Sequence, residues 1–247
     1  MKRAAILTTA AVLTLTASLA AAAASIPGYI SAAVADSARP AEDKQRDADR
    51  KPAETLTFAG VKPGDTVLEL APGKGYYTRL LSAVVGPKGK VYAVTSPPKP
   101  DAPPPAVQAI AADPHFGNVT VMLQRPADLK LPQGIDLVWT SQNYHDFHNI
   151  PDVDAATINR AVFAALRSGG TYLVLDHAAD AGSGARDTNT LHRVDEATVK
   201  QEVSAAGFKP ADESDILRNK SDPHTAKVFD PEIRGHTDQF LLKFKKP

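Results

Sequence analysis

The stretch from Thr66 to Val94 leaves this chain little choice of architecture. Val61-Lys62-Pro63-Gly64-Asp65 is turn chemistry, and Thr66 to Leu70 is a short apolar run of strand length. Ala71-Pro72-Gly73-Lys74-Gly75 then forms a tight loop. Tyr77, Leu80, Leu81, Val84 and Val85 follow at helical spacing, so one face of a helix is apolar, and Gly86-Pro87-Lys88-Gly89 stops it. Val91 to Val94 is the next strand. A strand, helix and strand joined in this way cross over right-handed and pair as parallel neighbours.

The pattern repeats downstream. Strands are expected at Val119 to Leu123, Ile135 to Thr140, Thr171 to Asp176, Ala211 to Leu217 and Gln239 to Phe244, with helices at Ala106 to Ala112, Asp154 to Arg167 and Glu196 to Ala206. Pro52 opens an earlier helix that Gly60 ends. Gly169-Gly170 and Gly207 read as helix stops. Six prolines from Ser96 to Pro105 make that segment a surface loop. The last two strands have no helix between them, which predicts an antiparallel hairpin at the sheet edge, joined by a long connection from Arg218 to Asp238. The expected fold is α/β: a doubly wound, seven-stranded, mostly parallel sheet with an antiparallel C-terminal hairpin.

The chain has 247 residues, enough for one large core. Its 28 Lys and Arg balance 28 Asp and Glu, so no global field draws in nucleic acid. With no cysteine, thiolate nucleophiles, Cys-ligated zinc and disulfides are excluded. Lys2 and Arg3, followed by an uncharged run from Ile6 to Ala24 and small residues at A-x-A sites, read as an export signal, cleaved after Ala24 or after Ala35. The expected organisation is a signal peptide over residues 1–35, a charged linker over 36–51 and one domain over 52–247. The protein is expected in the periplasm without stable membrane insertion once the leader is removed. Cytoplasmic retention is the alternative.

Glu69-Leu70-Ala71-Pro72-Gly73-Lys74-Gly75 lies where doubly wound sheets bind nucleotides, between a strand's carboxyl end and a helix's amino end. A P-loop is excluded, since no Gly-Lys-Ser/Thr follows at the required spacing. Glu69, Ala71, Gly73 and Gly75 resemble the first motif, acidic-x-Gly-x-Gly-x-Gly, of the class I S-adenosylmethionine-dependent methyltransferases. The resemblance extends through Lys62-Pro63-Gly64-Asp65, Leu131-Pro132, Gly169-Gly170 and Ala205-Ala206-Gly207-Phe208. It is similar to a bacterial group of often exported methyltransferase-like proteins, with which Asn143 to His148, Asp176-His177, His192 to Glu196 and Arg234 to Asp238 agree.

The resemblance implies a Rossmann-like methyltransferase fold with S-adenosylmethionine as cofactor and Glu69, Ala71, Gly73 and Gly75 beside its methionine and ribose portions. Two departures stand out. Ala71 replaces the first glycine and would be strained at a positive backbone angle. Thr95-Ser96 stand where the family ends its second strand with an acid that holds the ribose hydroxyls, so Thr95 offers a hydroxyl without charge assistance. Asp128 matches an acidic position near the adenine amine, with a solvated loop residue as the competing reading.

The loop after the fourth strand is the second dense site. Trp139, Asn143, Tyr144, His145, Asp146 and His148 are expected at the carboxyl edge, with Asn143 facing the cofactor. Methyl transfer needs an in-line nucleophile, and a base only when that nucleophile arrives protonated; His145, Asp146 and His148 are the candidates. A small-molecule acceptor fits such a pocket. Two other readings remain open: a binding protein of the envelope that keeps the fold without productive cofactor use, and a metal-dependent envelope enzyme built on His145, His148, Asp176 and His177. His192, His224 and His236 read as surface or substrate-loop residues.

Overall fold

The computed structural model describes residues 25–247, so residues 1–24 of the leader expected over residues 1–35 lie outside the described residues. The chain runs α1 (Gly28–Ala35), α2 (Ala41–Lys44), α3 (Asp47–Arg50), α4 (Pro52–Ala59), β1 (Thr66–Leu70), α5 (Tyr76–Val85), β2 (Lys90–Thr95), α6 (Ala106–Ala112), β3 (Val119–Leu123), β4 (Ile135–Ser141), α7 (Ala155–Ala165), β5 (Leu166–His177), α8 (Glu196–Ala205), β6 (Lys209–Ser214) and β7 (Gln239–Lys245). The seven strands form one sheet in the order β3-β2-β1-β4-β5-β7-β6. β1 to β5 are parallel, and β7 runs antiparallel to both β5 and β6. The expected doubly wound sheet with its C-terminal hairpin is what forms.

Both faces of the sheet are covered, because successive residues of the central strands point to opposite sides and both sets are apolar. Leu137 and Trp139 of β4 face a core shared with α1, α4, α5 and α6, whereas Val138 faces a second core with α7 and α8. No helix among the described residues is long and apolar enough to cross a membrane.

Three local expectations shift. α7 stops at Ala165, and Leu166 begins β5 by pairing with Ile135, so Gly169-Gly170 lies inside a strand rather than at a helix stop. A Cβ at Gly170 would stand 2.8 Å from the Arg167 carbonyl oxygen, so the irregular register there requires a glycine. β6 comes two residues earlier than expected, at Lys209, and its residues are almost all exposed; Ile216 and Leu217 had suggested a strand because they join the core from the turn beyond it.

The third shift is at the amino terminus. Where the sequence reads leader and linker, α1 buries Ile30 and Ala33 in the first core, and residues 36–51 carry two short helices held by ion pairs. Arg39, almost fully buried, donates to Asp47 through two nitrogens at 2.6 and 2.9 Å, and Arg79 reaches Asp43 at 2.9 Å. Charges that look like a solvated run are instead paired across elements, which no local pattern encodes.

Candidate functional site

β1 ends in the loop that approaches the carboxyl edge of the sheet. Ala71, Gly73 and Gly75 all have positive φ, at 48°, 58° and 80°. Gly75 is required twice over, by its φ and because a Cβ there would meet Ile110 Cδ1 at 2.1 Å. A Cβ on Gly73 would meet nothing within 4 Å, so that side of the loop is open. Ala71 adopts the strained angle that a glycine would accept at no cost.

The loop walls a cavity of about 200 Å³, shared with Arg46 and Arg50, with Glu69, Tyr76 and Tyr77, and with Ser141, Gln142 and Asn143 beyond β4. Glu69 is buried and accepts a hydrogen bond from Thr78 Oγ1 at 2.5 Å. Burial raises its carboxyl to about 7, with Thr78 and Arg50 opposing the shift. The Arg50 guanidinium lies 4.5 Å from the Tyr76 ring centroid, donates to Gln142 Oε1 and has no carboxylate partner among the described residues. Desolvation lowers its pKa. Ser141 Oγ is buried in the same wall without a hydrogen-bond partner among the described residues. A buried acid, an unneutralised guanidinium and an orphaned hydroxyl suit a ligand carrying both an ammonium and a carboxylate.

Asn143 lines this cavity but spends its side chain on the protein. Its amide nitrogen donates to the Leu70 and Ala71 carbonyls at 3.1 and 3.2 Å, and its oxygen accepts from Thr140, which fixes the motif loop against β4. Thr95 and Asp128 are outside the cavity wall. Thr95 ends β2 half-buried, and Asp128 is exposed in a 3-10 turn after β3. Trp139 is fully buried under Tyr77, at 4.6 Å between centroids, and belongs to the core.

A second cavity of about 130 Å³ shares Arg46, Arg50 and Gln142 with the first and is closed by His177, Phe229, Arg234 and Gln239. The Arg50–Gln142 hydrogen bond therefore stands between two compartments. Three guanidiniums meet one carboxylate, Asp49, in this wall. A larger cavity, about 780 Å³ around Gly86, Lys90 and Asn118, opens at the opposite, amino edge of the sheet and contains none of the motif residues.

The loop after β4 makes a 3-10 turn at His145–Asn149. His145 is buried with Nδ1 2.9 Å from Asp176 Oδ1, and its backbone N–H donates to Asp176 Oδ2 at 2.7 Å. Burial opposes charge on both groups, yet their mutual attraction prevails: the Asp176 carboxyl is lowered and the His145 imidazole raised. His177 is different. Burial pushes it down to about 4, and Thr237 Oγ1 lies 2.7 Å from its Nδ1, so it is a neutral wall residue. His148 turns away from this edge to lie 3.3 Å from Glu202 Oε2. Of the four residues of the expected metal cluster, His145, Asp176 and His177 are neighbours and His148 is apart, and their ligand atoms do not converge on one point. His145 and Asp146 instead meet His192, which a reading of its polar surroundings leaves as a loop residue.

No family model matches the sequence, and neither does any curated protein. Among solved structures it is similar to an S-adenosylmethionine-dependent methyltransferase from Aquifex aeolicus, at 17% identity over 85% of this chain and 99% of that one, with a TM-score of 0.60. It is also similar to Aeropyrum pernix fibrillarin with natively bound S-adenosyl-L-methionine (19% identity, 81% and 76% covered, TM-score 0.50). A third is the [4+2]-cyclase SpnF (17% identity, 84% and 81% covered, TM-score 0.59). At such identities the likeness is one of fold, and the fold carries more than one chemistry.

Proposed function

We propose that this protein is an S-adenosylmethionine-dependent methyltransferase acting on a small acceptor, and that it works outside the cytoplasm after its leader is removed. The observation that carries the reading is the first cavity: a buried acid, a strained glycine-rich turn and an uncompensated Arg50 converge where a doubly wound sheet takes its ligand. Glu69 and the open face of Gly73 receive the amino-acid end of the cofactor, with Arg50 opposite its carboxylate and Ser141 Oγ within the wall. About 200 Å³ is less than the roughly 300 Å³ at which ligand pockets of this class begin, so the base extends over the ends of β2 and β3, toward Thr95 and Asp128. Bound there, the cofactor supplies an electrophilic methyl group.

The protein's part is placement. The second cavity holds the acceptor beside the first, and Arg46, Arg50 and Arg234 favour one bearing an anionic group. His145, oriented by Asp176, is the side chain that can take a proton from the acceptor. His148, whose buried Nε2 lies 3.3 Å from Glu202 Oε2 without a hydrogen bond among the described residues, is given no part in the transfer. Export with cleavage after Ala24 keeps α1, whereas cleavage after Ala35 would remove it from the core.

Calorimetric titration of residues 25–247 with S-adenosylmethionine and S-adenosylhomocysteine tests the reading. Micromolar binding, lost in Gly73→Leu without loss of the folded state, is the expected result. No heat at millimolar ligand would overturn it and favour a binding protein that retains only the fold.

A further inference from the structure

His145 Nε2 is the ring nitrogen that Asp176 leaves free, and two other side chains converge on it. Asp146 Oδ1 lies 3.4 Å away, and His192 Nδ1 lies 3.9 Å from that same oxygen. One ligand atom from each of the three residues falls within 4.8 Å of the others. Neither close contact has the length of a good hydrogen bond, so three lone-pair donors face one another without satisfying one another. Among the described residues no other group of three His, Cys, Asp or Glu side chains has this arrangement.

The supports of the cluster are rigid while its outer members can move. Asp176 is fully buried, and it holds the His145 ring through Nδ1 while accepting backbone N–H groups from His145 and His177. A carboxylate behind an imidazole is the arrangement that orients metal-bound histidines. His192 has φ 57° and is carried by a segment pinned at Arg193, whose guanidinium is fully buried, paired with Asp222 at 2.8 Å and bonded to the Ala178 carbonyl at 2.9 Å. The Asp146 and His192 side chains are 53% and 30% exposed, free to rotate inward by the ångström or so that coordination at about 2.0–2.2 Å requires.

We propose that His145 Nε2, His192 Nδ1 and the Asp146 carboxylate form a site for one divalent transition-metal ion of the zinc class. Two imidazoles and one carboxylate suit zinc, iron or manganese, whereas magnesium and calcium take oxygen ligands. Three protein ligands leave positions open. Phe229, 4.8 Å from the His192 ring centroid, also lines the second cavity, so one side chain separates the cluster from the compartment assigned to the acceptor. With the ion present His145 is a ligand and not a base, and lowering the pKa of a bound acceptor hydroxyl falls to the metal. Only that last role rests on the methyltransferase reading; the site itself stands on its side chains.

The test is titration of metal-stripped residues 25–247 with cobalt(II), followed by its visible absorption, and with zinc(II) by calorimetry. One ion per chain with micromolar affinity or better is expected, weakened at least tenfold in Asp146→Asn and in His192→Ala. His148→Ala, which removes a nearby imidazole outside the site, should bind as the parent does. His145 is left unchanged because its removal threatens the fold. Absence of binding, or equal affinity in Asp146→Asn and His192→Ala, would overturn the site. S-adenosylmethionine titrated into the same samples separates the two readings, since cofactor binding without metal binding removes this inference alone.

Discussion

Ala71 shows what a sequence reveals at one residue and what it withholds. The replacement of glycine was visible in the motif, but its cost depends on a backbone angle, and only the fold makes that angle 48°. Ala71→Gly is expected to stabilise the protein by about 1 kcal/mol, the order of the penalty for a left-handed non-glycine residue, read as a rise in thermal midpoint. Glu69 gives a second expectation. Its carboxyl is raised to about 7 from an ordinary 4.5, so the folded state keeps a proton that the unfolded state has lost, and stability falls as pH rises between those values. Urea unfolding from pH 4 to 8 should show the decline in the parent and a flatter profile in Glu69→Gln. A difference of about 3 kcal/mol between the two profiles is the upper bound.

Among the elements, those with a strong local period were legible. α5 follows from Tyr77, Leu80, Leu81, Val84 and Val85, and β1, β2 and β4 from apolar runs bounded by turns. α2 and α3 were not, because four-residue helices of charged side chains have no period to read, and their order comes from partners such as Arg79 far along the chain. Arg46 and Arg50 therefore reach the site from a segment that resembles a linker. The proximity of His192 to His145 and Phe229 was not legible for the same reason, since these neighbours in space are distant in sequence. The first helix gives a direct prediction. Ile30 and Ala33 are nearly fully buried, so a chain beginning at Asp36 should lose about 3 kcal/mol relative to one beginning at Ser25. Chemical unfolding of the two proteins measures the difference.

At the scale of the whole molecule, the proposed ligand and the fold are linked. A cofactor that binds only the folded state at a hundredfold excess over its Kd adds about 2.7 kcal/mol, or roughly 5–10 °C in thermal midpoint for a protein of this size. Differential scanning calorimetry with S-adenosylhomocysteine should show the rise, and Gly73→Leu should abolish it. The fold class was legible because a parallel sheet covered on both faces needs apolar strands alternating with amphipathic helices, and the chain supplies both in order.

The strand order has a consequence for how the chain matures. β7 is last in sequence but sits between β5 and β6, and it contributes Phe240, Leu241, Leu242 and Phe244 to the two cores. A nascent chain that has emerged only as far as His236 thus carries β6 with nothing to pair with and β5 with a bare, apolar margin. Until its final strand is in place, those bare edges are open to pairing with other chains. The sheet cannot be completed before that strand is available, however fast the earlier strands pair.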